Sequence, residues 1–475
     1  MPRFPSARLL ASAVCLAICF TIYYLQFVPH RVARTPGPQT PESTTLPSLS
    51  PEHLKIKKFW SKWSTHLHNA RPLLPPLERV GTAPNTMLRP GFSKTREPSS
   101  TYLFLSKANI TSLSKQHRSL LKKLQHADPP LSATARELYD GTGIVMVIGG
   151  EYTSAALTTL RMLRRTGCTL PVEAFIGSRS EYESIICDIV LPVLGASCVV
   201  LPTMLAPPLS PDVKHYQLKS LAMVFSRFQK VLYLDSDSIP LRDPTALFKE
   251  KVFEETGLIV WPDFWKATED PVFYIIAGME GMPKGLPASS SEAGQLLVDK
   301  KRHLEMLLLA VYYNIYGPGW YYELLSQGAM GAGDKETFLA AAVALGSKWH
   351  MVDKGVEFVG YTQVSGRFKG GGMVQFWPGT EDRPAFLHAN TPKMNAGHLV
   401  DEGDLVDQGH RVRLWGPKEN VIKKFGDDIE KIVWKELIAT GCSLADVVEE
   451  WKGRERLCER LKEHYEAVFG EDGKV

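Results

Sequence analysis

Hydrophobic and polar positions fall into short blocks along this chain, and the period of the blocks keeps changing. Gly143–Gly149 (GIVMVIG) is an unbroken apolar run bounded by glycine, which predicts a buried strand. Ser154–Thr166 follows with Leu157, Leu160 and Leu163 on one helical face. Pro171–Ile176 reads as strand, Glu181–Leu191 as helix, and Cys198–Leu201 as strand. Tyr216–Phe228 then reads as helix, with Val231–Leu234 and Gly257–Trp261 as strands. Strand and helix alternating at this spacing predict a parallel, doubly wound α/β sheet. Such sheets bind ligands beyond the carboxyl ends of their strands, where strand order switches.

Beyond Pro283 the pattern changes. A serine-rich stretch leads into Glu292-Ala-Gly-Gln295, and a long apolar helix is predicted from Gln295 to Tyr316, ended by Gly317-Pro-Gly319. A second helix, Lys335–Leu345, follows Gly333-Asp334. The chain is then glycine- and strand-rich to His388, and Asn420–Phe469 reads as charged, amphipathic terminal helices. Upstream, helices are predicted over His53–His68, with Trp60 and Trp63, and over Ser112–His126.

The amino-terminal end has a pattern of its own. Leu9–Val28 carries no charge, and about 20 helical residues span a bilayer core of roughly 30 Å. Arg3 and Arg8 precede it, which places the amino terminus in the cytoplasm; Arg31 and Arg34 follow it. The run is long for a cleaved signal peptide, so a retained signal anchor is expected. Arg34–Pro51 is rich in proline, serine and threonine and reads as an extended linker. Asn109-Ile-Thr111 is a glycosylation sequon, usable on the lumenal side. The expected organisation is a cytoplasmic tail (1–8), a transmembrane anchor (9–28), a stem with a helical accessory region (29–135), one large catalytic domain (136–415) and a helical extension (416–475).

Composition adds little. The formal charge of +4 over 475 residues comes without a basic run or aromatic-interleaved patch, so no nucleic-acid partner is expected. Cys168, Cys187, Cys198, Cys442 and Cys458 lie beyond the apolar segment, and the odd count leaves at least one unpaired. On one straight helix Cys442 and Cys458 would stand about 24 Å apart, so they pair only if the helix breaks, as it could near Gly453.

The chemistry concentrates at Lys230-Val-Leu-Tyr-Leu-Asp235-Ser-Asp237. Residues i and i+2 of an extended chain share a face, so both carboxylates converge at the exit of a buried strand. Hard divalent cations take such oxygen ligands, and a diphosphate can complete the shell. A turn in which the aspartates act as caps is the plainer alternative. Gly149-Gly150 ends the first strand, where a base or ribose could approach the backbone; a simple turn explains it equally well.

The stretch from Tyr216-Gln-Leu-Lys219 through Asp235-Ser-Asp237-Ser-Ile-Pro-Leu-Arg-Asp-Pro resembles the core of the fungal Golgi α-mannosyltransferases, glycosyltransferase family 71. So do Met162–Glu173, Trp261-Pro-Asp-Phe-Trp265, Glu292-Ala-Gly-Gln295, Gly333-Asp-Lys-Glu-Thr-Phe338 and His388-Ala-Asn390, in order between about residues 143 and 400. The resemblance implies a GT-A-type mixed sheet, GDP-mannose as donor, Mn²⁺ or another divalent cation, and retention of anomeric configuration. It implies a type II Golgi membrane protein with a lumenal catalytic domain. Its partners would be a mannosylated glycan acceptor, the membrane through the anchor, and other Golgi transferases in a complex. By analogy Asp237 is the firmer metal ligand, Asp235 serves the metal or the ribose, and His388 is a third ligand. Lys219, Lys393 and Gly149 would serve the nucleotide, and Gln295, Glu292 or Asp334 would face the anomeric carbon. Asp334 could instead merely cap its helix. Asp263 could orient donor or acceptor, and Trp261 and Trp265 could offer flat surfaces to sugars, with core packing as their alternative. The expected activity is α-mannosyl transfer to glycoproteins or cell-wall mannan, with α-1,2 linkage favoured over α-1,3. A UDP-sugar transferase of the glycogenin type and an inactive sugar-binding paralogue are the competing readings.

Overall fold

The computed structural model describes residues 46–84, 95–209, 213, 215–379, 382–401 and 403–470. The predicted cytoplasmic tail, the apolar segment Leu9–Val28 and most of the linker lie outside them. Among the described residues no helix is long and apolar enough to cross a membrane.

The central sheet is built from β1 (Thr142–Ile148), β2 (Val172–Ile176), β3 (Ala196–Val200) and β4 (Lys230–Leu234). After the short β5 (Ser238–Pro240), it is completed by β6 (Leu258–Lys266), β7 (Ser289–Asp299) and β8 (His350–Met351). The spatial order is β3-β2-β1-β4-β7-β6-β8. β1 to β4 are parallel, and β7 runs antiparallel between β4 and β6. The chain winds outward from β1 to β3, then returns to place β4 on the other side of β1. The switch in strand order therefore lies between β1 and β4, whose carboxyl ends carry Gly149 and Asp235. This is the mixed α/β architecture expected.

A second sheet, ordered β5-β11-β10-β9, is antiparallel and comprises β5, β9 (Glu357–Thr362), β10 (Phe368–Phe376) and β11 (Pro384–His388). β5 begins immediately after Asp237. The second sheet therefore hangs from the ligand-binding edge of the first.

One prediction needs correcting. Gln295–Val298 is strand, not the start of a helix; the helix begins at Lys300 and runs to Ile315. Its apolar residues follow those of β7 without a gap, so periodicity alone could not separate them. Asp299 marks the junction, its side chain accepting from Lys301 N at 3.0 Å as an N-cap. The predicted helix Glu181–Leu191 is shorter and irregular, a π-type turn over Ile186–Val190 running into Leu191–Val193. The other predicted elements shift by one to five residues at their ends.

Residues ahead of β1 are built into the domain. Helix Pro51–Asn69 starts on Ser50, whose hydroxyl accepts from His53 N, with proline at the first helical position. Its Ile56, Trp60, Trp63 and Leu67 are buried in the core that includes Phe225, Tyr233 and Tyr312. Helix Lys107–Gln125 adds Leu113, Leu120 and Leu124. Each large apolar side chain so buried contributes about 1.5–3 kcal/mol. Asn109 of the sequon sits in the first turn of that helix.

At the carboxyl end, helices Ile429–Leu444 and Leu457–Phe469 pack against each other. The chain breaks between them, and Cys442 pairs with Cys458 at a Cα–Cα distance of 4.5 Å. Gly453 lies in that break with φ of +83°. Cys187 pairs with Cys198, and Cys168 is free and buried.

Candidate active site and metal centre

The site assembles from strand pairing. Asp235 leaves β4 with its amide donating to Gly294 O at 2.8 Å, which lays the Glu292–Gln295 segment of β7 beside it. Ser238 of β5 pairs with His388 of β11, and Ala389 N donates to Asp237 O at 2.9 Å. Two residues 151 apart in sequence therefore meet, and His388 Nε2 stands 3.1 Å from Asp237 Oδ1. A Cβ on Gly294 would come within 2.7 Å of the His388 ring, so only glycine lets the histidine in.

Asp235, Asp237 and His388 each offer a ligand atom, all within 4.8 Å of one another. Two carboxylate oxygens and an imidazole nitrogen suit a hard or borderline divalent cation. The predicted triad is thus brought together, and its donor set fits the expected ion.

The electrostatics divide the site in two. Asp237 is buried, which opposes its charge, but His388 and Lys393 both bond to it and hold its carboxyl well below the usual range. His388 is also buried; Asp237, with Glu292 and Asp235 behind it, nevertheless raises it to about 9. A cation would take His388 as the neutral imidazole, replacing the proton that this pairing retains.

Asp235 belongs to a different network. Lys219 Nζ donates to its Oδ2 at 2.8 Å and to Ala293 O at 3.3 Å, while Tyr233 OH donates to its Oδ1 at 2.8 Å. Lys219 also stands 3.4 Å from Asp334 Oδ2. Burial opposes the charge on Lys219, but Asp235 and Asp334 outweigh it and raise its pKa. Asp334 occupies the N-cap position of helix Lys335–Ala344, yet its side chain makes no capping bond and turns to Lys219 instead. Burial pushes its pKa up to about 6, held back by Lys219 and reinforced by Asp235.

The other predicted residues sort by access. Gln295 is fully buried, and its Oε1 accepts from Ser238 Oγ at 3.1 Å. It braces the strand that follows Asp237 and presents no surface to a substrate. Glu292 Oε1 accepts from Ala293 N and Gly294 N at 2.9 and 2.8 Å and lies 3.6 Å from His388 Nδ1. Gly149 has φ of +115°, and a Cβ there would meet Glu181 Oε2 at 2.8 Å, so glycine is required at the turn itself. Asp263 is buried and accepts from Lys335 Nζ at 2.6 Å; burial and the nearby Glu292 push it up to about 6. Trp261 is fully buried with its Nε1 donating to Phe376 O at 2.8 Å, so it is core and offers no face to a sugar. Trp265 remains partly exposed.

Sequence reading missed several supports. Tyr233 was legible, since i−2 from Asp235 on a strand shares its face. The brace behind Lys393 was not. Asn395 Nδ2 donates to Glu151 O and to both oxygens of Glu450, and Trp451 Nε1 donates to Asn395 Oδ1 at 3.2 Å. His398 pairs with Glu450, and Arg454 Nη1 donates to Gly397 O at 3.1 Å. Glu450, Trp451 and Arg454 lie in the segment closed by Cys442–Cys458. The carboxyl-terminal extension thus fixes the loop that carries Lys393.

Residues 141–286 and 279–376 match the family described as "Mannosyltransferase putative". The chain is similar to alpha-1,2-mannosyltransferase MNN21 of Candida albicans, 35% identical over 448 residues covering 77% of this chain and 66% of that protein. It is similar to alpha-1,2-mannosyltransferase MNN5 of Saccharomyces cerevisiae, 34% identical over 312 residues covering 55% of this chain and 52% of that protein. The chain spans between about half and two thirds of the length of the curated relatives it matches. Among solved structures, glycosyltransferase GlyE of Streptococcus pneumoniae is 16% identical with a TM-score of 0.31, over 45% of each chain.

Proposed function

The chain belongs to the fungal α-1,2-mannosyltransferase family, and from that premise we propose that it transfers mannose from GDP-mannose, with retention, onto a mannosyl acceptor in α-1,2 linkage. The observation that carries this reading is the convergence of Asp235, Asp237 and His388 beside the switch in strand order. The linkage follows the relatives' names. Mn²⁺ is the proposed ion, and the acceptor is a glycan of glycoproteins or cell-wall mannan. The proposed setting is the Golgi lumen behind an amino-terminal type II anchor. Two disulfides support an oxidising compartment.

A cation held by Asp235, Asp237 and His388 would act as a Lewis acid, stabilising the charge that develops on the departing diphosphate. The chain's own residues do the rest. Lys219, fixed between Asp235 and Asp334, supplies a positive charge that cannot wander. Lys393 is more exposed, 39% against 14% for Lys219, and can exchange Asp237 for a diphosphate oxygen. Of the three carboxylate and amide candidates, Glu292 is the one we assign to face the anomeric carbon. Gln295 is enclosed, and Asp334 is engaged with Lys219.

The test is a donor screen with the full chain across GDP- and UDP-sugars, with and without chelator, followed by linkage analysis of the product. The expected result is chelator-sensitive turnover of GDP-mannose and an α-1,2 product. Turnover of UDP-sugars alone, or activity indifferent to chelator, would contradict the reading.

A further inference from the structure

Three aromatic rings run in series along the edge of the site remote from Gly149. Trp265 and Phe264 have ring centroids 4.1 Å apart with planes tilted by 42°, and Phe264 meets Phe358 edge to face at 5.1 Å and 72°. Trp265 and Phe264 are partly exposed, and Phe358 is 47% exposed. Large apolar side chains in such a row are normally covered in a soluble domain.

Two independent features of backbone register place this row. Across the second sheet, Ser238 pairs with His388, His388 with Met373, and Met373 with Phe358. Residues directly opposite in antiparallel strands share a face. Phe358 therefore stands on the same face as His388, two strands away, or about 10 Å. In the first sheet, β6 is out of regular register between Pro262 and Lys266. The bulge carries Asp263, Phe264 and Trp265, and bulges re-aim side chains in this way beside active sites. Trp265 is brought against Gly331 of the loop that leads to Asp334, where a Cβ would lie 3.0 Å from its ring.

Strand order then says which side of the reaction the row serves. The nucleotide belongs at the switch between β1 and β4. The sugar it carries extends from Asp235 and Asp237 toward β7, where Glu292 lies. The next strand is β6, with Trp265. Whatever receives the sugar meets the row of rings first. Its charged neighbours are already matched, Asp263 with Lys335, and Glu357 and Asp382 with Lys424 and Lys354, so these groups set up no net field for an ionic ligand.

We infer that Trp265, Phe264 and Phe358 form an extended acceptor subsite, a stepped apolar shelf for a neutral mannosyl glycan, with sugar C–H groups on the exposed surfaces of Trp265 and Phe358 and Phe264 filling the angle between them. The inference rests on the transferase reading and deepens it, by giving the acceptor a length as well as an identity. Asp263 and Lys335, at the inner end, supply the hydrogen-bonding groups that fix sugar hydroxyls next to the reacting centre.

The experiment uses the full chain and a series of α-linked mannooligosaccharides from two to five residues. In the wild type, KM for the acceptor falls as the chain lengthens. Phe358→Ala and Trp265→Ala each raise KM for the pentasaccharide about tenfold, the worth of one good ring contact, with kcat largely kept. Phe358→Tyr restores the wild-type value. Phe358→Leu keeps apolar bulk without a ring face, and gives the same loss as alanine in a soundly packed protein. If pentasaccharide KM stays within about twofold of wild type in both alanine variants, the shelf is not an acceptor site. If the wild type transfers no mannose at all, the donor reading fails separately, and calorimetric binding of mannopentaose decides the shelf. Binding lost in Phe358→Leu supports it, and binding unchanged there overturns it.

Discussion

Asp235 and Asp237 are two residues apart, yet they belong to different parts of the molecule. Asp235 is held by Lys219, Tyr233 and, through Lys219, Asp334, all anchored in the first sheet and the helices that cover it. Asp237 is held by His388 and Lys393, which arrive on β11 and the loop after it, braced by the carboxyl-terminal segment. The first network is enclosed and rigid. The second opens to solvent at Lys393 and depends on contacts across more than 150 residues. One half is therefore suited to holding fixed charge. The other is suited to exchanging partners as a diphosphate enters and leaves.

The comparison is broken most completely at the carboxylates. Asp237→Ala should lower kcat by about 10³-fold or more, because it removes the ligand both cationic partners converge on. Asp235→Ala should lower it by a comparable factor but also destabilise the fold, since Lys219 loses a buried partner. Breaking a buried ion pair costs about 3–5 kcal/mol, here lessened by the remaining Asp334. Thermal unfolding of the two variants alongside their rates separates the effects.

The lysines come next. Lys219→Met should cost about 100-fold in kcat, because the carboxylates of Asp235 and the buried Asp334 lose the cation between them. Lys393→Met should cost about tenfold, expressed mainly in donor KM, because Asp237 keeps its other partner, His388. Steady-state kinetics with varied GDP-mannose checks both.

How much of this was legible in the sequence depends on the distance over which it was written. The Asp235/Asp237 pair was readable because strand burial and i, i+2 spacing are local. His388 and Lys393 followed only from resemblance, because a β5–β11 pairing leaves no trace in spacing. Gln295 was readable as part of a motif but not as enclosed, because the end of β7 from Gln295 onward was read as helix. Its apolar residues are buried on both faces and show no alternation. Glu450 and Asn395 carried no signal; their bond joins segments 55 residues apart.

A smaller effect concerns pH. Burial is the main cause of the raised Asp334 value. Below about pH 6 Asp334 takes up a proton and Lys219 loses half of its neutralisation. The rate should fall on the acid side with an apparent pKa near 6, and Asp334→Asn should flatten that limb at a lower plateau. Stability moves the other way. A folded-state value above the ordinary 3.8 means that the folded chain binds the proton more tightly, so this group's contribution rises as pH falls from about 6 toward 4. Pairing pH–rate and pH–melting profiles of the wild type and the variant tests both signs.

The smallest effect lies in the brace. Glu450→Gln should raise donor KM by about threefold to tenfold through the loop that carries Lys393, at or below the low end of the about 10–100-fold typical of outer supports to a metal ligand, because Glu450 acts through Asn395. Adding it to Lys393→Met should cost nothing more in KM. A merely structural role would give additive losses.

The most direct test of the central claim is Mn²⁺ binding, by calorimetry or electron paramagnetic resonance, to the full chain with GDP present. The account predicts one ion per chain, lost in Asp237→Ala and much weakened in His388→Ala, while Asp334→Asn still binds it. Unchanged Mn²⁺ binding in Asp237→Ala and His388→Ala would contradict it.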